Sequence, residues 1–153
     1  MKNRMTLRIL SLPENVALAR VAVATFVSSL ELTLNEIEEL KVAVSEAVTN
    51  AIVHGYGAKG RGEVTISAQI IGRDLTVVVE DQGRGIEDVE LARQPSYSTD
   101  PERMGLGFVF MDSFMDRLEV ESKPGEGTRV TMYKHYEPRP AAGEASAGVS
   151  GKG

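Results

Sequence analysis

Thr33-Leu-Asn-Glu36-Ile-Glu-Glu-Leu40-Lys-Val-Ala-Val44-Ser-Glu46-Ala-Val48-Thr-Asn50-Ala-Ile52-Val-His54-Gly55 is the stretch on which the reading of this chain turns. Thr33 with Glu36 three residues later forms the pattern of a capping box, in which each side chain satisfies the other's backbone N–H, so a helix is predicted to start there. Gly55 and Gly57 supply the stop. Between them Ile37, Leu40, Val44, Val48, Ala51 and Ile52 recur at helical spacing as one aliphatic stripe. At about 100° per residue, Glu46 falls nearly opposite that stripe, and Asn50 and His54 follow it on the same flank. Val42 and Val53 lie beside Glu46. A carboxylate and a carboxamide set among aliphatic neighbours point to a lined pocket more than to an open solvent face.

The remaining composition bounds what such a pocket serves. The length of 153 residues fits one domain with a full core. The net charge of −5 argues against a nucleic-acid-binding surface, because phosphate contacts need clustered Lys and Arg. No apolar run approaches the ~18 residues of a membrane span. Lys2 and Arg4 are followed by no apolar segment of the signal-peptide kind. The absence of cysteine removes disulfides, thiolate metal sites and cysteine nucleophiles, and is compatible with the cytosol, where the protein is expected. With only His54 and His135, a multi-histidine metal centre is not expected.

Outward from the central helix, Met5, Leu7 and Ile9 alternate as a first strand. Pro13 marks the entry to a helix over about 14–30, whose buried side is Val16, Ala19, Val23, Phe26, Val27 and Leu30. Arg20 projects from this apolar segment. After a glycine-rich loop at 55–62, Val64, Ile66, Ala68 and Ile70 alternate on a strand. Gly72-Arg73-Asp74 turns the chain, and Leu75, Val77 and Val79 alternate on the next strand. Asp81 is in phase with them and so points to the core side, where an unpaired carboxylate is costly; it needs a donor. The segment from Glu87 to Arg103 has little periodicity and reads as a lid. A helix opening near Gly105 carries Val109, Phe110, Met111 and Phe114. Two further strands lie around Leu118–Ser122 and Thr128–His135. The order β-α-α-β-β-α-β-β predicts a two-layer α/β sandwich over 1–137, a mixed sheet with its helices on one face. Residues 138–153 are compositionally unable to bury a core and are expected to be a disordered tail.

Gly83, Gly85, Gly105 and Gly107 flank the lid. Glycines let backbone N–H groups approach an anion, and Gly105 and Gly107 stand where a helix begins, an end that attracts phosphate. Arg103 beside them has the fork geometry for a phosphate. Neither a P-loop nor a dinucleotide-binding glycine pattern is present.

Taken jointly, Glu46-x3-Asn50-x3-His54-Gly55, Asp81-x-Gly83-x-Gly85, Gly105-x-Gly107 and Gly127-Thr128 resemble the GHKL family of ATPases, which includes the histidine kinases. The resemblance implies the ATP-binding sandwich of that family and ATP or ADP with Mg²⁺ as cofactors. It makes Asn50 the metal ligand and Asp81 the acceptor of the adenine amino group, the donor its position demands. His54, Gly83, Gly85, Ser98, Thr99, Gly105, Gly107 and Thr128 would complete the nucleotide site. Within the family, Ala19-Arg20-Val21, the stretch Val44–Tyr56, Ala92-Arg-Gln-Pro95 and Gly107-Phe108 with Met111-x2-Phe114-Met-Asp116 resemble the anti-sigma F factors of spore-forming bacteria, over about residues 5–136. That likeness implies a serine kinase that also inhibits a sporulation sigma factor of the sigma F type and phosphorylates an anti-anti-sigma protein. Glu46 would be its general base, Arg103 would touch the γ-phosphate, and Arg20 would lie on the face shared by both partners.

Phosphoryl transfer needs positioning, a metal, charge neutralisation and a group that orients the nucleophile. Glu46, one turn before Asn50, is placed to accept a serine hydroxyl proton. A sensor histidine kinase needs a phospho-acceptor histidine on a dimerisation helix, for which this chain is expected to have no room, so the acceptor is expected on another protein. Three alternatives remain: a kinase acting on a general-stress sigma system, a nucleotide-gated binding module without chemistry, and a detached histidine-kinase domain. The first strand is expected at a sheet edge, where it would pair with its twin in a homodimer.

Overall fold

The computed structural model describes residues 2–57, 62–94 and 104–139. Five strands form one sheet in the order β1-β2-β3-β5-β4: β1 Lys2–Leu10, β2 Glu63–Ile71, β3 Asp74–Asp81, β4 Arg117–Lys123 and β5 Gly127–His135. The longer helices are α1 Asn15–Phe26, α2 Leu34–Asn50 and α4 Met104–Phe114, with a single turn, α3, at Val89–Ala92. The two-layer sandwich is thus present, and the strands bury Ile9, Val64, Ile66, Ala68, Ile70, Leu75, Val77, Val79, Val130 and Met132 against the helices.

One expectation is corrected. The sheet is antiparallel at all four pairings rather than mixed. β4 does run in the same sense as β3, as the helical crossover between them requires. However, β5 folds back at the Pro124–Glu126 turn and inserts between the two, hydrogen-bonded antiparallel to each. A second difference lies in the segment read as aperiodic. Its start is helical as α3, because Asp88 caps it by accepting the Leu91 N–H at 3.0 Å. Arg93 then ties that turn to α4 through both carboxylate oxygens of Asp112, each at 3.1 Å.

α2 begins as its sequence dictates. The Glu36 N–H donates to Thr33 Oγ1 at 3.0 Å, and the Thr33 N–H donates to Glu36 Oε1 at 2.8 Å. Its stripe is buried at Leu40, Val44, Val48, Ala51 and Ile52, with Ile37 half-buried. The far end departs from a regular helix: after Asn50 the backbone widens into a π turn over Ala51–Gly55. Such turns recur at functional sites because they re-aim the side chains of a helix. α1 buries Ala19, Val23 and, in the 3₁₀ turn that follows, Val27 and Leu30.

Candidate nucleotide site

The end of α2, the π turn, the loop after β3 and the start of β5 meet around one small cavity of about 20 Å³. Ala47, Ala51, Val79, Ile86, Phe108 and Val130 form its apolar wall. Asn50, His54, Asp81 and Thr128 are its polar members, and Gly55 and Gly85 complete it. This matches the usual composition of a ligand pocket, an apolar slot with a few fixed polar groups. Asn50, the last residue of α2, and His54, in the π turn, share that wall, both buried.

Asp81 stands at the last position of β3, 5% exposed. Its carboxylate accepts the Gly83 N–H at 2.9 Å and a backbone N–H from Thr128. Burial outweighs those two donors and pushes its pKa up from 3.8 to about 6. Gly55 is required beside it, since a Cβ there would lie 2.9 Å from Asp81 Oδ1.

Glu46 sits one turn before Asn50, half-buried, and desolvation raises its pKa. The first turns of α4 pass directly over both groups. A Cβ on Gly107 would fall 2.9 Å from Glu46 Oε2 and 3.4 Å from Asn50 Nδ2, so glycine keeps that space open. Asn50 Nδ2 is buried without a hydrogen-bond partner among the described residues. A buried N–H donor of this kind is open to an acceptor atom of a ligand. Oxygen donors from a carboxamide and a carboxylate suit Mg²⁺, which keeps most of its shell for water and phosphate. The apolar lining ends on Asp81, whose carboxylate can accept a hydrogen bond from a base. The residues therefore fit a magnesium nucleotide.

The other predicted positions fall as follows. Gly105 is buried in the first turn of α4. Thr128 lines the cavity, its hydroxyl 2.8 Å from Ser122 Oγ. Gly83 serves backbone packing: a Cβ there would collide with the Gly55 carbonyl. Arg20 is half-buried and donates to Ser45 Oγ at 3.2 Å, next to Glu46 in the chain. Ser98, Thr99 and Arg103 lie outside the described residues.

Three contributors were not anticipated. The Tyr56 hydroxyl accepts the Gln82 N–H at 2.6 Å and donates to the Glu63 carbonyl at 2.9 Å, stitching β2 to the loop after Asp81. Ser122 accepts the Ile86 N–H at 2.8 Å and donates to the Gly127 carbonyl at 3.0 Å, holding the far rim. Arg84 crosses back onto the π turn. Each makes at least one bond over more than twenty residues of sequence, where spacing gives no signal.

A fold of this kind, with this pocket, defines a class. A family profile described as a histidine kinase-like ATPase domain matches residues 9–134. Proteins named anti-sigma F factor are similar along nearly their whole length. That of Clostridium acetobutylicum is 52% identical over 138 residues, covering 89% of this chain and 96% of the relative. That of Anoxybacillus flavithermus is 49% identical over 137 residues, covering 88% and 94%. Among solved structures, the RsbU and RsbW domains of a Mycobacterium tuberculosis protein superpose with a TM-score of 0.62 at 17% identity. They cover 87% of this chain, which spans 32% of theirs. The catalytic domain of the histidine kinase ThkA gives 0.55 at 15% identity, covering 88% of this chain and 97% of that one; both likenesses concern the fold. The chain belongs to the histidine kinase-like ATPase family and, within it, to the anti-sigma F factors. A domain of that family implies nucleotide binding. Among the described residues no helix is long and apolar enough to cross a membrane.

Proposed function

We propose that this protein is an ATP-dependent serine kinase that binds and inhibits a sigma factor of the sigma F type and phosphorylates a serine of an anti-anti-sigma partner. The observation that supports the chemistry best is Glu46: a half-buried carboxylate, one turn from Asn50 and kept clear by Gly107. Burial raises its proton affinity toward the range useful to a general base. Asn50 would hold Mg²⁺, and Asp81 with Thr128 would take the adenine. The bound magnesium triphosphate supplies the phosphoryl group and the charge neutralisation. The chain itself orients the acceptor: Glu46 accepts the proton of the incoming serine hydroxyl, and the apolar wall excludes water that would compete for the phosphoryl group. Arg103 belongs to the same reading as the γ-phosphate contact, with Ser98 and Thr99 in the lid.

Arg20 would present the partner-binding face on α1, where Leu18 and Val21 stand 51% and 55% exposed beside it. β1 lies at a sheet edge, which supports a homodimer through that strand. Glu46→Gln separates a kinase from a nucleotide-gated binder. With labelled ATP and an anti-anti-sigma protein, the variant should lose phosphotransfer by roughly 10²-fold or more while still binding nucleotide and sigma. Full transfer by the variant, or none by the native chain, would remove the kinase reading.

A further inference from the structure

The last four carbonyls of a helix have no partner within it and must find donors elsewhere. For the π turn those carbonyls can be followed one by one. Those of Ile52 and Val53 accept the Tyr56 N–H, and Val53 also accepts the Gly57 N–H at 3.0 Å. Those of His54 and Gly55 are reached from across the chain by a single residue. Arg84 Nε donates to the His54 carbonyl at 2.5 Å, and the Arg84 N–H donates to the Gly55 carbonyl at 3.1 Å. The Arg84 carbonyl in turn accepts the Gly125 N–H at 2.7 Å, so the β4–β5 turn joins the same knot. The guanidinium also sits at the negative end of α2 and its π turn, where a cation is favoured. Glycine at 83 permits the approach, its Cα lying against the Gly55 backbone.

We infer that Arg84 is a positioning residue for base recognition: it docks the loop bearing Asp81 onto the helix end bearing Asn50 and His54, and so fixes the distance between the base acceptor and the phosphate end of the site. The inference rests on the nucleotide site, because it assigns Arg84 a task within that site. Arg84 does not itself line the cavity but bonds to His54 and Gly55, which do, and it is exposed, so its removal leaves the core intact.

Calorimetric titration of the full chain with Mg-ADP and Mg-GDP tests this without any partner protein. Arg84→Met keeps the aliphatic stem and removes the donor and the charge. The expected result is at least a fivefold loss of ADP affinity together with at least a threefold fall in the ADP-over-GDP preference. The midpoint of thermal unfolding without nucleotide should move little. Arg84→Lys, which restores a cation but not the Nε donor, should fall between the two. If the native chain binds ADP and both variants keep its affinity and base preference, the assignment of Arg84 fails while the nucleotide site stands. If affinity falls equally for both nucleotides, Arg84 has no part in base recognition and the inference is overturned. If the native chain binds neither, both fall together.

Discussion

Asp81 carries an electrostatic cost in the folded domain. Its pKa in the folded chain is about 6 against 3.8 for an ordinary aspartate, because the carboxylate is buried. The folded state therefore binds the proton more tightly than the unfolded one, and stability is lost as pH rises from about 4 through about 6. A shift of this size corresponds to about 3 kcal/mol of penalty at neutral pH. Asp81→Asn should flatten the pH dependence of unfolding in that window and raise the melting temperature of the ligand-free chain at pH 7.5. It should also abolish adenine nucleotide binding, both measurable by calorimetry. In the native chain, ATP affinity should fall as the solution is acidified below about pH 6, because a protonated Asp81 is the poorer acceptor. At Gly107 the trade runs the other way. Alanine is the better helix former by about 1 kcal/mol, yet its Cβ would press on Glu46 Oε2. Gly107→Ala should leave the ligand-free stability equal or higher and lower phosphotransfer at saturating ATP.

Element by element, the parts readable in the sequence are those specified by neighbours in the chain. The capping box of α2 needs only Thr33 and Glu36, and it formed as written. Thr33→Ala should cost about 1 kcal/mol, a drop of roughly 3 °C in melting temperature by scanning calorimetry. Asp81 was legible as core-facing because strand alternation carried its direction. Asn50 and His54 were legible as one flank, although the π turn that seats His54 was not, since nothing in Ala51–Gly55 distinguishes it from an α-helical run. α3 is four residues long, below the length at which periodicity can be counted. The insertion of β5 between β3 and β4 left no mark either. Antiparallel and parallel neighbours impose the same alternation on a strand, so the pairing partner is decided only by the packing of the whole sheet. Tyr56, Arg84 and Ser122 were missed for a related reason: their partners lie across the fold, and a side chain that serves a distant backbone leaves no spacing to read.

For the whole molecule, the edge position of β1 bears on assembly. Sedimentation should give about twice the 16.5 kDa of the chain, and a monomeric mass at micromolar concentration would remove the dimer. The closing segment bears on something more practical. Tyr136 is buried, its N–H donates to the Arg73 carbonyl at 3.0 Å, and Arg73 answers with Nε to the Tyr136 carbonyl at 2.6 Å and Nη2 to the Leu30 carbonyl at 3.1 Å. That anchor sits at the Asp74 end of β3, seven steps from Asp81, or about 23 Å at ~3.3 Å per residue. The chain holds no cysteine, and the side chain of Glu137 is 85% exposed just past the anchor. Glu137→Cys would give one thiol for a maleimide dye on a rigid mount remote from the cleft. Its fluorescence anisotropy would follow the slower tumbling of a captured protein, while its emission stayed indifferent to which nucleotide was bound.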